Sequence, residues 1–303
     1  MQTKDFISIL DFTGEDVEKF YERFLDIKKK PEAFRDALRG KTLAMIFEKP
    51  SLRTRVTFET GMTQLGGHAI YLSRTDFVLG ERESVHDVAK NLERWVDGIM
   101  ARTFSHQIVI ELAQHAGAIP VINALTDFLH PCQALTDLFT IREKKGLRHD
   151  LKLAYLGDGN NVAHSLIHAA VRCGIHITVI TPEDYRPSQE VVERAKGENA
   201  GISIEVVSDP AAGIRDADVV YTDVWASMGQ EKEAAERKKI FSPYQVNAKL
   251  MGLAREDAIF MHCLPAHRGD EVTEEVMDSD QSVVFDQAEN RLHTQKAIMT
   301  LLM

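Results

Sequence analysis

The chain has 303 residues, 46 of them acidic and 36 basic, a net charge of −10, and 44% apolar against 27% charged side chains. That balance belongs to a folded globular chain and excludes a disordered or fibrous one, and so acidic a protein lacks the basic face that nucleic-acid backbones demand. No window approaches the ~20 apolar residues of a membrane span, and three distant cysteines, Cys132, Cys173 and Cys263, make no disulfide framework.

Residues 41–47 form an apolar run bounded by Gly40 and Lys49-Pro50 and read as a buried strand. The spacing of Phe58, Met62 and Leu65 predicts a helix over 53–64, ended by Gly66-Gly67, and a strand over 68–72 follows. A helix near 84–96, a strand over 98–102, a helix over 107–115 and a strand over 119–123 continue the alternation. After a long helix over about 133–145 the pattern restarts with a strand at 151–157 and a helix over 162–173. A strand at 175–180, a helix over 188–198, strands at 202–207, 219–222 and 258–261, and a last helix over about 289–302 complete it.

Strands alternating with helices predict an α/β protein of two domains, each a parallel sheet flanked by helices, linked by interdomain helices. A length near twice the ~150 residues of an ordinary domain agrees. The boundary is expected near 134–148: a first domain over 1–140, with the helix 288–303 packing back on it, and a second over 148–287. Residues 1–6 carry no secretory apolar core, so a reducing cytoplasm is the expected compartment.

Ligands of parallel sheets sit at the carboxyl ends of strands, which gives weight to motifs placed there. Pro50-Ser51-Leu52-Arg53-Thr54-Arg55 joins a strand to a helix, so Ser51 can cap, the free N–H groups of the helix start attract an anion, and Arg53 adds a fork matched to phosphate. A plain capped helix with solvated arginines is the other reading. Arg102 ends a strand, where an arginine is often only a surface group. His130, in His130-Pro131-Cys132-Gln133, is kept out of a helix by the proline, so its ring can polarise a carbonyl or sit hydrogen-bonded in the core.

Gly157-Asp158-Gly159-Asn160-Asn161-Val162 resembles part of a dinucleotide fingerprint, but Val162 stands where the third glycine belongs, and the strand ending at Thr181-Pro182 lacks the acidic residue. Asparagine amides at a helix start suit a carboxylate instead. Asp223, after a strand and followed by Ser227-Met228-Gly229, can hold an amino group or merely build a turn. His262-Cys263-Leu264-Pro265 sets a thiol beside a histidine, yet neighbours in an extended segment face opposite ways, which weakens a direct Cys–His couple.

Taken together, Phe47 to Arg55, His130 to Gln133, Asp223 to Gly229 and His262 to Pro265 resemble the ornithine carbamoyltransferases, over about residues 6–302. The resemblance implies transfer of the carbamoyl group from carbamoyl phosphate to the δ-amine of L-ornithine, a trimer or multiple of trimers, and neither cofactor nor metal. It implies that Ser51, Leu52, Arg53 and Thr54 cradle the phosphate, with Arg102 reaching phosphate and carbonyl and Arg291 closing on them. His130 and Gln133 would hold the carbamoyl group, and Cys263 and Leu264 would line the reaction centre, with Arg102, His130 and Cys263 catalytic. Asn161, Asp223, Ser227 and Met228 would hold ornithine.

Two positions depart from the family pattern. Leu52 stands where many members carry Thr, and a backbone N–H can still serve. Val78 stands where Gln or His usually enters a neighbouring subunit's site; valine donates no hydrogen bond, so the neighbour's contribution would be weaker or come from Arg82. Rival readings are a carbamoyltransferase for putrescine or an N-acylated ornithine, a dinucleotide-dependent oxidoreductase, and a binding protein without catalysis.

Overall fold

A computed structural model describes residues 3–148, 150–226 and 231–303. The chain divides into two units: Met1–Phe139 with Glu289–Met303, and Thr140–Ala288. The first unit holds strands β1 (Thr42–Phe47), β2 (His68–Ser73), β3 (Gly98–Arg102) and β4 (Val121–Leu125), with helices α1 (Gly14–Lys29), α2 (Leu52–Gln64), α3 (Val85–Trp95) and α4 (His106–His115). Its strands are all parallel, in the order β2-β1-β3-β4, with Phe47 opposite Arg102 where β1 and β3 end. β1 and β3 are almost wholly buried, as expected of inner strands covered on both faces.

The second unit starts within α5 (Pro131–Lys145) and holds β5 (Lys152–Leu156), α6 (Asn161–Cys173), β6 (His176–Ile180), α7 (Gln189–Glu198), β7 (Ile204–Val207), α8 (Pro210–Ile214), β8 (Val219–Thr222), α9 (Ala234–Phe241), α10 (Ala248–Met251), β9 (Ile259–His262) and α11 (Glu274–Met277). Its five strands are parallel in the order β7-β6-β5-β8-β9. α12 (Val284–Leu302) ends the chain, its residues from Glu289 onward belonging to the first unit.

Several expected elements shift. β4 begins after Pro120, which has no N–H to give a ladder, and runs to Leu125 rather than 123. β7 starts at Ile204, not 202, and α8, with Asp209 capping two N–H groups, fills the link to β8 that was expected to hold no helix. α12 starts five residues before the expected 289. α1 is absent from the expected elements although Thr13 and Asp16 form a capping box and Val17, Phe20, Phe24 and Ile27 recur on one buried face.

In both sheets the strand order reverses at the strand that comes first in sequence: β1 lies between β2 and β3, and β5 between β6 and β8. Such a reversal leaves a crevice outside the carboxyl ends of the two strands that diverge. The segments after β1 and β3, and after β5 and β8, are therefore where a ligand finds room.

Candidate active site

In the first unit the turn from β1 into α2 carries Ser51 as N-cap, its Oγ accepting the Thr54 N–H at 3.2 Å. The cap satisfies one of the first-turn donors, and the others, with the positive end of the helix dipole, face the turn. Leu52 is exposed at the first helical position, while Thr54 is buried. Arg291 of α12 donates from Nη2 to Thr54 Oγ1 at 3.1 Å and from Nη1 to Gln133 Oε1. Gln133, in the first turn of α5, donates from Nε2 to Asp137 Oδ1 at 2.7 Å.

His130 precedes α5, and its carbonyl accepts the Ala134 N–H at 3.2 Å. The ring is buried, and burial together with the charges of Arg291, Arg102 and Arg53 holds its pKa well below the ordinary value, so the imidazole is neutral. Arg102, 7% exposed at the end of β3, is thus not a surface residue. Arg53, Arg102 and Arg291 come from three distant places in the chain and gather around one ring. Three guanidinium groups whose charges converge on one buried ring make a nest for a doubly charged anion. Cys132 is a packing residue: burial pushes its thiol up to about 12, and it donates to Asn123 O at 3.3 Å.

In the second unit Asp223, just past β8, is the centre. Its Oδ1 accepts the Cys263 thiol at 3.0 Å and its Oδ2 accepts Asn160 Nδ2 at 3.0 Å. Asn160 is also the N-cap of α6, its Oδ1 accepting the N–H groups of Val162 and Ala163. Asn161 is the first residue of that helix. Gly159 is required for close approach, since a Cβ there would strike the backbone of residues 185–187; that packing, and not a dinucleotide, explains the glycine. Arg237 of α9 donates to Asp158 Oδ2 at 2.8 Å and Trp225 O at 2.9 Å. Burial still pushes the Asp158 carboxyl up despite that guanidinium.

His262 does not couple to Cys263. Its Nδ1 accepts the Leu264 N–H at 2.8 Å, so its proton sits on Nε2, which donates to buried Glu271 at 3.2 Å. This anchor holds Leu264 at a left-handed φ of +58°, unusual for a leucine, and turns the chain just after Cys263. Donor atoms of Asp223, His262 and Cys263 lie within 4.8 Å of one another. The same atoms are engaged in the hydrogen bonds just described, so a cation would have to break these to enter.

A family model described as the aspartate/ornithine carbamoyltransferase carbamoyl-P binding domain matches residues 4–143, and one described as the Asp/Orn binding domain matches residues 149–302. The chain belongs to the aspartate/ornithine carbamoyltransferase family. An ornithine carbamoyltransferase of Thermococcus kodakarensis is 54% identical, covering 99% of this chain and 96% of that protein. An anabolic ornithine carbamoyltransferase of Pyrococcus furiosus is 53% identical with the same coverage. A solved ornithine carbamoyltransferase structure from P. furiosus superposes with a TM-score of 0.95 at 52% identity, covering 98% of this chain and 96% of that one.

The carbamoyltransferase family pattern thus falls into two groups in this chain. Ser51, Leu52, Arg53, Thr54, Arg102, His130, Gln133 and Arg291 belong to the first unit, and Asn161, Asp223, Cys263 and Leu264 to the second. Ser227 and Met228 lie outside the described residues. Asn160, Asp137 and Glu271, each tied by a hydrogen bond to a candidate residue or its anchor, were not among the expected site residues. Asn160 carried a signal, a cap residue after a strand; buried Asp137 and Glu271 carried none.

Proposed function

We infer that the protein transfers the carbamoyl group of carbamoyl phosphate to the δ-amine of L-ornithine, giving L-citrulline and phosphate, in the synthetic direction of arginine metabolism. The gathering of Arg53, Arg102 and Arg291 around a neutral His130 carries this reading, and relatives named for the same reaction support it. Arg53, the Ser51–Thr54 helix start and Arg291 hold the phosphoryl group. Thr54, Arg102 and His130 donate to the carbonyl oxygen, where negative charge builds when the amine attacks; a preorganised donor is worth most there. Neutral His130 serves this role by donating one ring N–H.

The amine forms its bond to the carbonyl carbon, the bond from that carbon to the bridging oxygen breaks, and phosphate leaves on the arginines, its bridging oxygen taking the second proton that the attacking nitrogen loses. Ornithine's ammonium must first lose a proton. Cys263 is the proposed acceptor: as its sulfur takes the ammonium proton, its own proton passes to Asp223 Oδ1, to which it is already hydrogen-bonded. Asn161 and Asp223, with Ser227 and Met228, hold the amino-acid end. A trimer in the cytoplasm completes the reading; no helix among the described residues is long and apolar enough to cross a membrane.

Initial rates of phosphate release with ornithine, putrescine, N-acetylornithine and aspartate test the assignment. Ornithine is expected to lead by at least about 100-fold, because groups built to pair a polar end reject analogues that lack it. Ornithine as the poorest acceptor would overturn the substrate.

A further inference from the structure

Asp137 is a fully buried carboxylate inside α5, one turn after Gln133. A carboxylate in a helix interior away from water is costly unless it is paired, and an apolar residue would fill the space at less cost. The Gln133 amide is one of its partners, donating from Nε2 at 2.7 Å. On the other side of the same amide, Gln133 Oε1 accepts from Arg291 Nη1. A guanidinium only donates and a carboxylate only accepts, so the two neighbours allow one orientation of the amide and forbid the other.

We propose that Asp137 is the positioning residue that makes the site selective for a carbamoyl group: it locks Gln133 with its carbonyl oxygen toward the arginines and the substrate. The inference rests on the reading that the first unit binds carbamoyl phosphate. An amide oxygen has two lone pairs. One takes Arg291, and the second remains for a substrate N–H. Carbamoyl and acetyl groups have nearly the same shape, and they differ in that the first offers N–H donors where the second has a methyl. A fixed acceptor is the device that separates them. Were the amide free to turn, its own NH2 would face the substrate's NH2, and the discrimination would vanish.

The test compares KM for carbamoyl phosphate with KI for acetyl phosphate and for inorganic phosphate in the full-length protein and in Asp137→Leu and Asp137→Asn. In Asp137→Leu the carbamoyl-phosphate KM is expected to rise about 10- to 100-fold, the scale of one buried hydrogen bond lost and a donor misplaced. Both inhibition constants stay within about twofold. Asp137→Asn keeps the size and one acceptor oxygen but can also face Gln133 with its own NH2, so it gives a smaller loss of the same selectivity and carries the test should the leucine variant fail to fold. Weakening of all three ligands together, or an unchanged selectivity in both variants, overturns the inference while the activity itself stands. An unmodified protein that forms no citrulline would remove the function, and this inference with it.

Discussion

The two units share a rule of topology and differ in chemistry. Each reverses its strand order beside its first strand, and each carries part of its candidate groups on the segments beyond the diverging strands, joined by His130 after β4 and Arg291 of α12 in the first unit and by Cys263 after β9 in the second. In the first unit these groups set arginines around a neutral histidine; in the second they set a thiol and an amide on one carboxylate. The fold decides where a ligand can go, and a few residues there decide its charge: on the proposed function, an anion in the first unit and an amine in the second.

The largest expected effect breaks the cationic half at its reacting end. Arg102→Met removes a donor from the developing oxyanion, and kcat is expected to fall about 10²- to 10³-fold; steady-state rates at saturating substrates measure it, and a loss below threefold would move Arg102 out of the reaction.

A smaller effect sharpens the contrast through pH. His130 has a folded-state pKa depressed below the ordinary 6.5, by burial first and then by the three arginines. An unfolded chain takes up that proton below 6.5 and the folded one resists it, so His130's linkage leaves stability whole above 6.5 and lowers it as pH falls toward the depressed value. Burial lowers His106 and His293 of the same unit in the same sense. Between pH 7.5 and 5.5 His130 alone accounts for a loss of up to about 1.4 kcal/mol. Urea unfolding at the two pH values should show that loss shrink in His130→Asn; an equal loss in both proteins would mean the ring is not held neutral.

Much of this was legible because strand–turn–helix junctions are local. Ser51, Arg53 and the proline after His130 sit where a few neighbouring residues fix the backbone, and Asp223 directly follows a buried strand that the sequence marks clearly. Other features depend on partners far along the chain. Asn160 meets Asp223 across 63 positions and Arg291 meets Gln133 across 158, so neither pairing leaves a mark in a short window. The bland reading of Arg102 as a surface group was available because a strand end does not say what covers it. The link between β7 and β8 hid α8, five residues opened by Asp209-Pro210, too short for an apolar period to show.

Division of labour between the units is the central claim, and titration of carbamoyl phosphate into the protein and two variants tests it most directly. Asp223→Asn should leave the affinity within about twofold, whereas Arg53→Met should weaken it about 10- to 100-fold, the range for a lost charge-assisted hydrogen bond. Equal affinities in parent and Arg53→Met, or a large loss in Asp223→Asn, would contradict the assignment of the anion to the first unit.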